Sequence, residues 1–176
     1  MERKKTLPRS WRNLLREKLS PNRPGELPAP ARTCLVGTGS DLRGDDAAGL
    51  AVARELLQNP PRAENLLIVE GGPAPENYAN RMRAFRPELV LFIDAAHMDE
   101  TPGAVRWIPL EMIDGMSASS HSLPLSILAK YLTLELNCEV GVLGIQPEQN
   151  ELDAGLSLPV RAAADEIKAE IRRVFP

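Results

Sequence analysis

At 176 residues, 43% of them apolar, the chain suits one compact domain with a short extension. Only 4% are aromatic, so aliphatic side chains must build the core, and no apolar run approaches the ~18 residues of a membrane span. The net charge of −3 hides a division: residues 1–32 hold nine Lys/Arg and three Asp/Glu, a balance of +6, leaving −9 for the remainder.

The basic N-terminal piece lacks the apolar stretch of a signal peptide and reads as a solvated tail rather than a nucleic-acid-binding arm. Within it, Trp11, Leu14, Leu15 and Leu19 have helical spacing that suits docking on the domain or on a neighbour. Pro21–Ala31 is Pro-rich, and its locked φ angles and missing donors mark it as a linker. The expected organisation is a basic extension with linker over 1–31 and one folded domain over 32–176.

From Arg32 the pattern alternates. Thr33–Val36 is a short apolar strand, and residues 45–58 form a helix stopped by Asn59-Pro60-Pro61. Leu66–Val69 is a second strand closed by Gly71-Gly72, and residues 75–85 form a helix ended by Pro87. Leu89–Ile93 is a third, wholly apolar strand, and Ala104–Ile108 alternates like an edge strand. Residues 122–136 are helical, Glu139–Ile145 is a buried strand, and Val160, Ala163, Ala164, Ile167, Ile171 and Val174 stripe a closing helix. Strands alternating with helices predict an α/β three-layer sandwich, a mostly parallel twisted sheet with helices on both faces. Cys34 and Cys138 lie far apart in strand-like runs without a CxxC partner, which predicts reduced, buried thiols and a cytoplasmic protein. Nothing points to nucleic acid or to membrane insertion.

In such a sheet the strands point their C-terminal ends to one rim, where ligands bind at the switch in strand order. Asp46 follows the first strand, Asp94 ends the third, and His121 precedes the helix leading to the last. Asp46 or its neighbour Asp45 could instead serve the helix dipole; adjacent positions face differently, so at most one should enter a shared site. Asp94 follows five apolar residues, where an ionised carboxylate needs a partner. His121 competes with His97, which lies in a more polar stretch. Two carboxylates and an imidazole make a mixed O/N set that fits a divalent transition metal with open positions.

Gly37-Thr38-Gly39 echoes a dinucleotide-binding turn, but Leu42 stands where a third glycine is needed, and Asp41, Asp45 and Asp46 would repel a pyrophosphate. The glycines read instead as a tight turn bringing the backbone close to a ligand or partner.

Six blocks fall in the order of a known family: Gly37-Thr38-Gly39-Ser40, Gly44-Asp45-Asp46-Ala47-Ala48-Gly49, Gly71-Gly72-Pro73-Ala74-Pro75-Glu76-Asn77, Ile93-Asp94-Ala95, Ser120-His121-Ser122-Leu123-Pro124-Leu125 and Leu143-Gly144-Ile145-Gln146-Pro147-Glu148. Over residues 33–174 the chain resembles the hydrogenase maturation endopeptidases, most of all the branch serving formate-hydrogenlyase-type NiFe hydrogenases. It departs from many relatives at Asp46, where they carry Glu. The resemblance implies removal of a C-terminal peptide from a hydrogenase large-subunit precursor after nickel insertion. It also implies Asp46, Asp94 and His121 as catalytic and metal-contacting residues, with nickel recognised in the substrate rather than permanently bound. A metal-activated water and an Asp46/Asp94 acid–base dyad both remain open as chemistry, and a non-catalytic nickel-site chaperone remains open as function.

Overall fold

The computed structural model describes residues 10–21, 29–108, 110–115 and 123–176. Residues 1–9, most of the expected linker (22–28) and the segment 116–122, which includes His121, lie outside the described residues.

Five strands form one sheet: β1 (Thr33–Thr38), β2 (Leu66–Gly72), β3 (Leu89–Ala95), β4 (Val105–Ile108) and β5 (Glu139–Ile145). Their order is β2-β1-β3-β5-β4, with β4 antiparallel at one edge and every other pairing parallel. Because successive strand residues face opposite ways, Leu35, Leu89, Leu91, Ile93, Leu143 and Ile145 feed one core. Cys34, Val36, Val90, Phe92, Val140 and Val142 feed the other. The first core is closed by α1 (Trp11–Leu19), α2 (Ala48–Gln58) and α5 (Leu158–Val174), the second by α3 (Ala79–Phe85) and α4 (Leu125–Leu136). This is the expected three-layer α/β sandwich.

Helix ends follow local chemistry. Arg86, with φ of 54°, ends α3 just before Pro87, and Asn137, with φ of 50°, ends α4. Helix α4 starts at Leu125, directly after Pro124, which disfavours helical geometry at Leu123. The helix expected from residue 45 opens instead as a 3₁₀ turn, Gly44–Ala47, and becomes α-helical at Ala48. A second 3₁₀ turn, Pro75–Tyr78, precedes α3, and a third, Leu110–Gly115, has no apolar period to announce it. Strands β1, β2 and β3 run two or three residues beyond their apolar stretches, since pairing with a neighbour satisfies the backbone whatever the side chain.

The helix read from Trp11, Leu14, Leu15 and Leu19 docks on the domain. Leu15 and Leu19 are fully buried in the core shared with α5, and Arg16 Nε donates to Glu170 Oε2 at 2.7 Å. Arg12 pairs with Glu166, and Lys18 with Glu139. The Ala31 N–H donates to the Leu19 carbonyl at 2.7 Å, so both ends of the proline-rich segment are fixed.

Candidate active site

The sheet changes direction between β1 and β3, because β2 lies to one side of β1 and β3 to the other. Clefts at such a switch, outside the carboxyl ends of the strands, are where open α/β sheets bind ligands. Asp46 and Asp94 belong to the two segments that meet there.

Asp46 occupies the 3₁₀ turn after β1 and is 2% exposed. The Ser40 N–H donates to its Oδ2 at 3.0 Å, closing the loop that carries it. Two glycines make this placement possible. Gly39 has φ of 116°, and a Cβ there would overlap the Asp46 carbonyl oxygen. A Cβ at Gly49 would overlap the carbonyl oxygens of Ile93 and Thr38. The start of α2 is therefore seated directly on the ends of β1 and β3. The close approaches at Gly37 and Gly39, expected to admit a ligand or partner, are taken up by the chain's own α2 at Gly37 and by the 3₁₀ turn before it at Gly39. Gly72, with φ of 61°, is different: nothing lies within 4 Å of a Cβ placed there.

Asp94 lies inside β3 rather than after it, paired with Gly144 of β5, and is 1% exposed. By strand alternation it shares the face of Val90 and Phe92, the side covered by α4. The Thr38 hydroxyl donates to the Ile93 carbonyl at 2.9 Å, joining the end of β1 to the residue before Asp94. His121 immediately precedes the segment leading into α4, and its placement lies outside the described residues. The competing His97 is exposed on the loop after β3. That loop is held by Gln146, whose Oε1 accepts the Met98 N–H at 2.7 Å.

The neighbouring carboxylates have separate tasks. Asp45 is fully buried and its carboxylate accepts four hydrogen bonds from the segment after β5. The donors are the N–H groups of Glu148 (2.8 Å), Gln149 (3.1 Å) and Ser157 (2.7 Å), and the Ser157 hydroxyl (2.9 Å). Asp41 is turned outward to Arg54, which also reaches Glu70 at the end of β2. The hydrogen bonds that Arg54 donates to Asp41 and Glu70 raise its pKa further above its already high value. The three aspartates that look like one acidic cluster in sequence are thus divided among an ion pair, a loop anchor and the rim. Sequence reasoning missed the Asp45 anchor, whose partners lie more than a hundred residues away. Among the described residues no group of three or more His, Cys, Asp or Glu side chains could hold a metal ion.

The profile of the hydrogenase maturation protease family matches residues 50–174. The hydrogenase 3 maturation protease of Escherichia coli K12 is 31% identical over 134 residues, covering 76% of this chain and 84% of that protein. The crystal structure of the NiFe hydrogenase maturation protease HycI of Thermococcus kodakarensis superposes with a TM-score of 0.74 at 32% identity, covering 82% and 92% of the two chains. The solution structure of the endopeptidase HycI of Escherichia coli gives a TM-score of 0.72 at 30% identity, covering 80% and 89%. The chain belongs to the hydrogenase maturation protease family. Its activity is therefore peptide-bond hydrolysis, and the non-catalytic chaperone reading is not favoured. No helix of this maturation protease, among the described residues, is long and apolar enough to cross a membrane.

Proposed function

We propose that this maturation protease removes a C-terminal peptide from the large-subunit precursor of a NiFe hydrogenase after nickel insertion, using Asp46, Asp94 and His121. The observation that carries the reading is the convergence of the Asp46 turn and the Asp94 strand, both buried, on the topological switch of the sheet. The nickel belongs to the substrate, held by the precursor's own ligands. Carboxylate oxygens and an imidazole nitrogen are donors that a divalent ion of this kind accepts. A carboxylate set in an apolar strand is favoured by a cation beside it. A precursor without nickel offers no such cation, so it binds less well, and that difference in affinity is the check on loading.

Asp46 and Asp94 hold the attacking water against the scissile carbonyl. One of them takes the proton as the water oxygen bonds to the carbonyl carbon, and the proton then passes to the departing amine as the C–N bond breaks. Residues 32–176 form the peptidase domain, with α1 an accessory docked on it, and the protein works in the cytoplasm.

Replacing either carboxylate by its amide tests the assignment. Asp46→Asn and Asp94→Asn should each slow precursor processing by at least about a hundredfold, the usual weight of a proton-transfer group, while remaining folded. Near-normal processing by both variants would move the site elsewhere.

A further inference from the structure

Arg54 lies on α2, the helix that grows out of the Asp46 turn, and its guanidinium reaches back to the loop before that turn. Nη1 donates to Asp41 Oδ1 at 3.1 Å and Nη2 to Asp41 Oδ2 at 2.9 Å, a two-bond fork on one carboxylate. Nε and Nη2 also donate to Glu70 Oε1 at the end of β2, the former at 3.1 Å. A single exposed ion pair contributes little. A planar fork gripping two carboxylates on two elements is different, because it fixes their relative placement. Nη2 bonds an oxygen of each carboxylate, so without the guanidinium Asp41 and Glu70 would face each other as like charges.

Between these ties stands Ser40, whose N–H donates to the Asp46 carboxylate at 3.0 Å. That N–H belongs to the peptide after Gly39, and a glycine does little by itself to limit how the peptide is turned. Its neighbours must hold it. On one side the Gly39 N–H donates to the Gly72 carbonyl at 3.2 Å; on the other is Asp41, in the grip of Arg54. The bonds inside the turn are long. The Arg43 N–H reaches the Ser40 carbonyl and the Leu42 N–H the Ser40 hydroxyl, each at 3.3 Å. The side of the loop toward β5 is fastened separately, through the Asp45 carboxylate and by the Asp153 N–H, which donates to the Leu42 carbonyl at 3.0 Å. Arg54 is the side-chain hold toward β2, next to the N–H that orients Asp46.

We infer that Arg54 is a positioning residue for the peptidase site: by bracing Asp41 against Glu70 it keeps the Ser40 N–H on the Asp46 carboxylate. The inference rests on Asp46 acting in the reaction. Arg54 touches no reacting atom. A carboxylate turned out of line with the attacking water costs rate even when substrate is bound, so the larger part of the effect falls on kcat.

The test uses the full chain and the nickel-loaded large-subunit precursor. Measurements of kcat, KM and Tm are made on Arg54→Gln, on Arg54→Lys and, as control, on Lys168→Met. The control removes the α5 cation that pairs with Glu55, the neighbour of Arg54 on α2, and with Asp165. Exchange of the Ser40 amide hydrogen is followed by NMR in the same proteins. Arg54→Gln should lower kcat about tenfold, with a smaller change in KM, and speed Ser40 exchange about tenfold. Arg54→Lys keeps the charge without the fork and should recover only part of both; Lys168→Met should lower Tm and leave both unchanged. Unaltered Ser40 exchange in Arg54→Gln, an equal kcat loss in the control, or full recovery by Arg54→Lys would overturn the inference. Unchanged kcat in Arg54→Gln beside an inactive Asp46→Asn would overturn it alone. Unchanged kcat in both would overturn the placement of the site at Asp46 as well. A precursor left uncut by the wild-type chain would overturn the peptidase reading, with Ser40 exchange still deciding the brace.

Discussion

Asp45 receives two hydrogen bonds from Ser157, one from the backbone N–H at 2.7 Å and one from the hydroxyl at 2.9 Å. The pair joins the turn after β1 to the first residue before α5 across most of the chain's length. It explains why two adjacent aspartates occur: one fastens the turn so that the other can be held at the rim.

Removing the anchor should cost stability. Asp45→Ala strands several buried donors, and a loss of about 3–5 kcal/mol is expected, against about 1–2 kcal/mol for Ser157→Ala, which removes a single bond. Urea unfolding of both variants checks the ordering. Equal and small losses would mean that water replaces the carboxylate without difficulty.

The glycines should separate in the same way. Gly39→Ala combines an unfavourable φ of 116° with overlap on the Asp46 carbonyl, so it should lower both stability and processing. Gly72→Ala meets no neighbour within 4 Å and carries only its backbone strain, about 1–2 kcal/mol. Thermal unfolding together with precursor processing distinguishes them. Comparable damage from the two would show that overlap is not what matters at Gly39.

Docking of α1 should respond to acid. The Arg16 hydrogen bond holds the Glu170 carboxyl below its ordinary value of 4.5. A carboxylate with a depressed folded pKa stabilises the fold above the unfolded value and loses that contribution as pH falls through the folded one. The difference in unfolding free energy between wild type and Arg16→Ala should therefore be constant from about pH 7 to about pH 5 and shrink below about 4.5. A difference independent of pH down to about pH 3 would assign the Arg16 effect to packing alone.

The thiols should be inert. Burial pushes the Cys34 thiol up to about 12 and raises that of Cys138. Neither should react with a disulfide reagent at pH 8 until the protein is unfolded, when both should titrate. Rapid labelling of the native protein would show that β1 or the start of β5 opens readily.

The sheet was legible because its signals are local. Leu89–Ile93 and Glu139–Ile145 are apolar runs that can be little else, and the stripe from Val160 to Ile171 fixes α5. Strand order was not legible, since the pairing of β5 between β3 and β4 depends on contacts that no single segment encodes. Asp46 and Asp94 could be nominated from their positions after β1 and at the end of β3. Their burial, and the separation of Asp41, Asp45 and Asp46 into three tasks, could not. Arg54 sits on an apolar-periodic helix like any solvated cation, and Ser157 looks like an ordinary residue before a helix; only folding gives each its carboxylate.

The most direct measurement is the intact mass of the large-subunit precursor, with and without nickel, after incubation with the protein. The account predicts loss of one defined C-terminal peptide from the nickel-loaded form and none from the nickel-free form. Equal cleavage of both forms would contradict the loading check, and an uncut nickel-loaded precursor would contradict the proposed substrate.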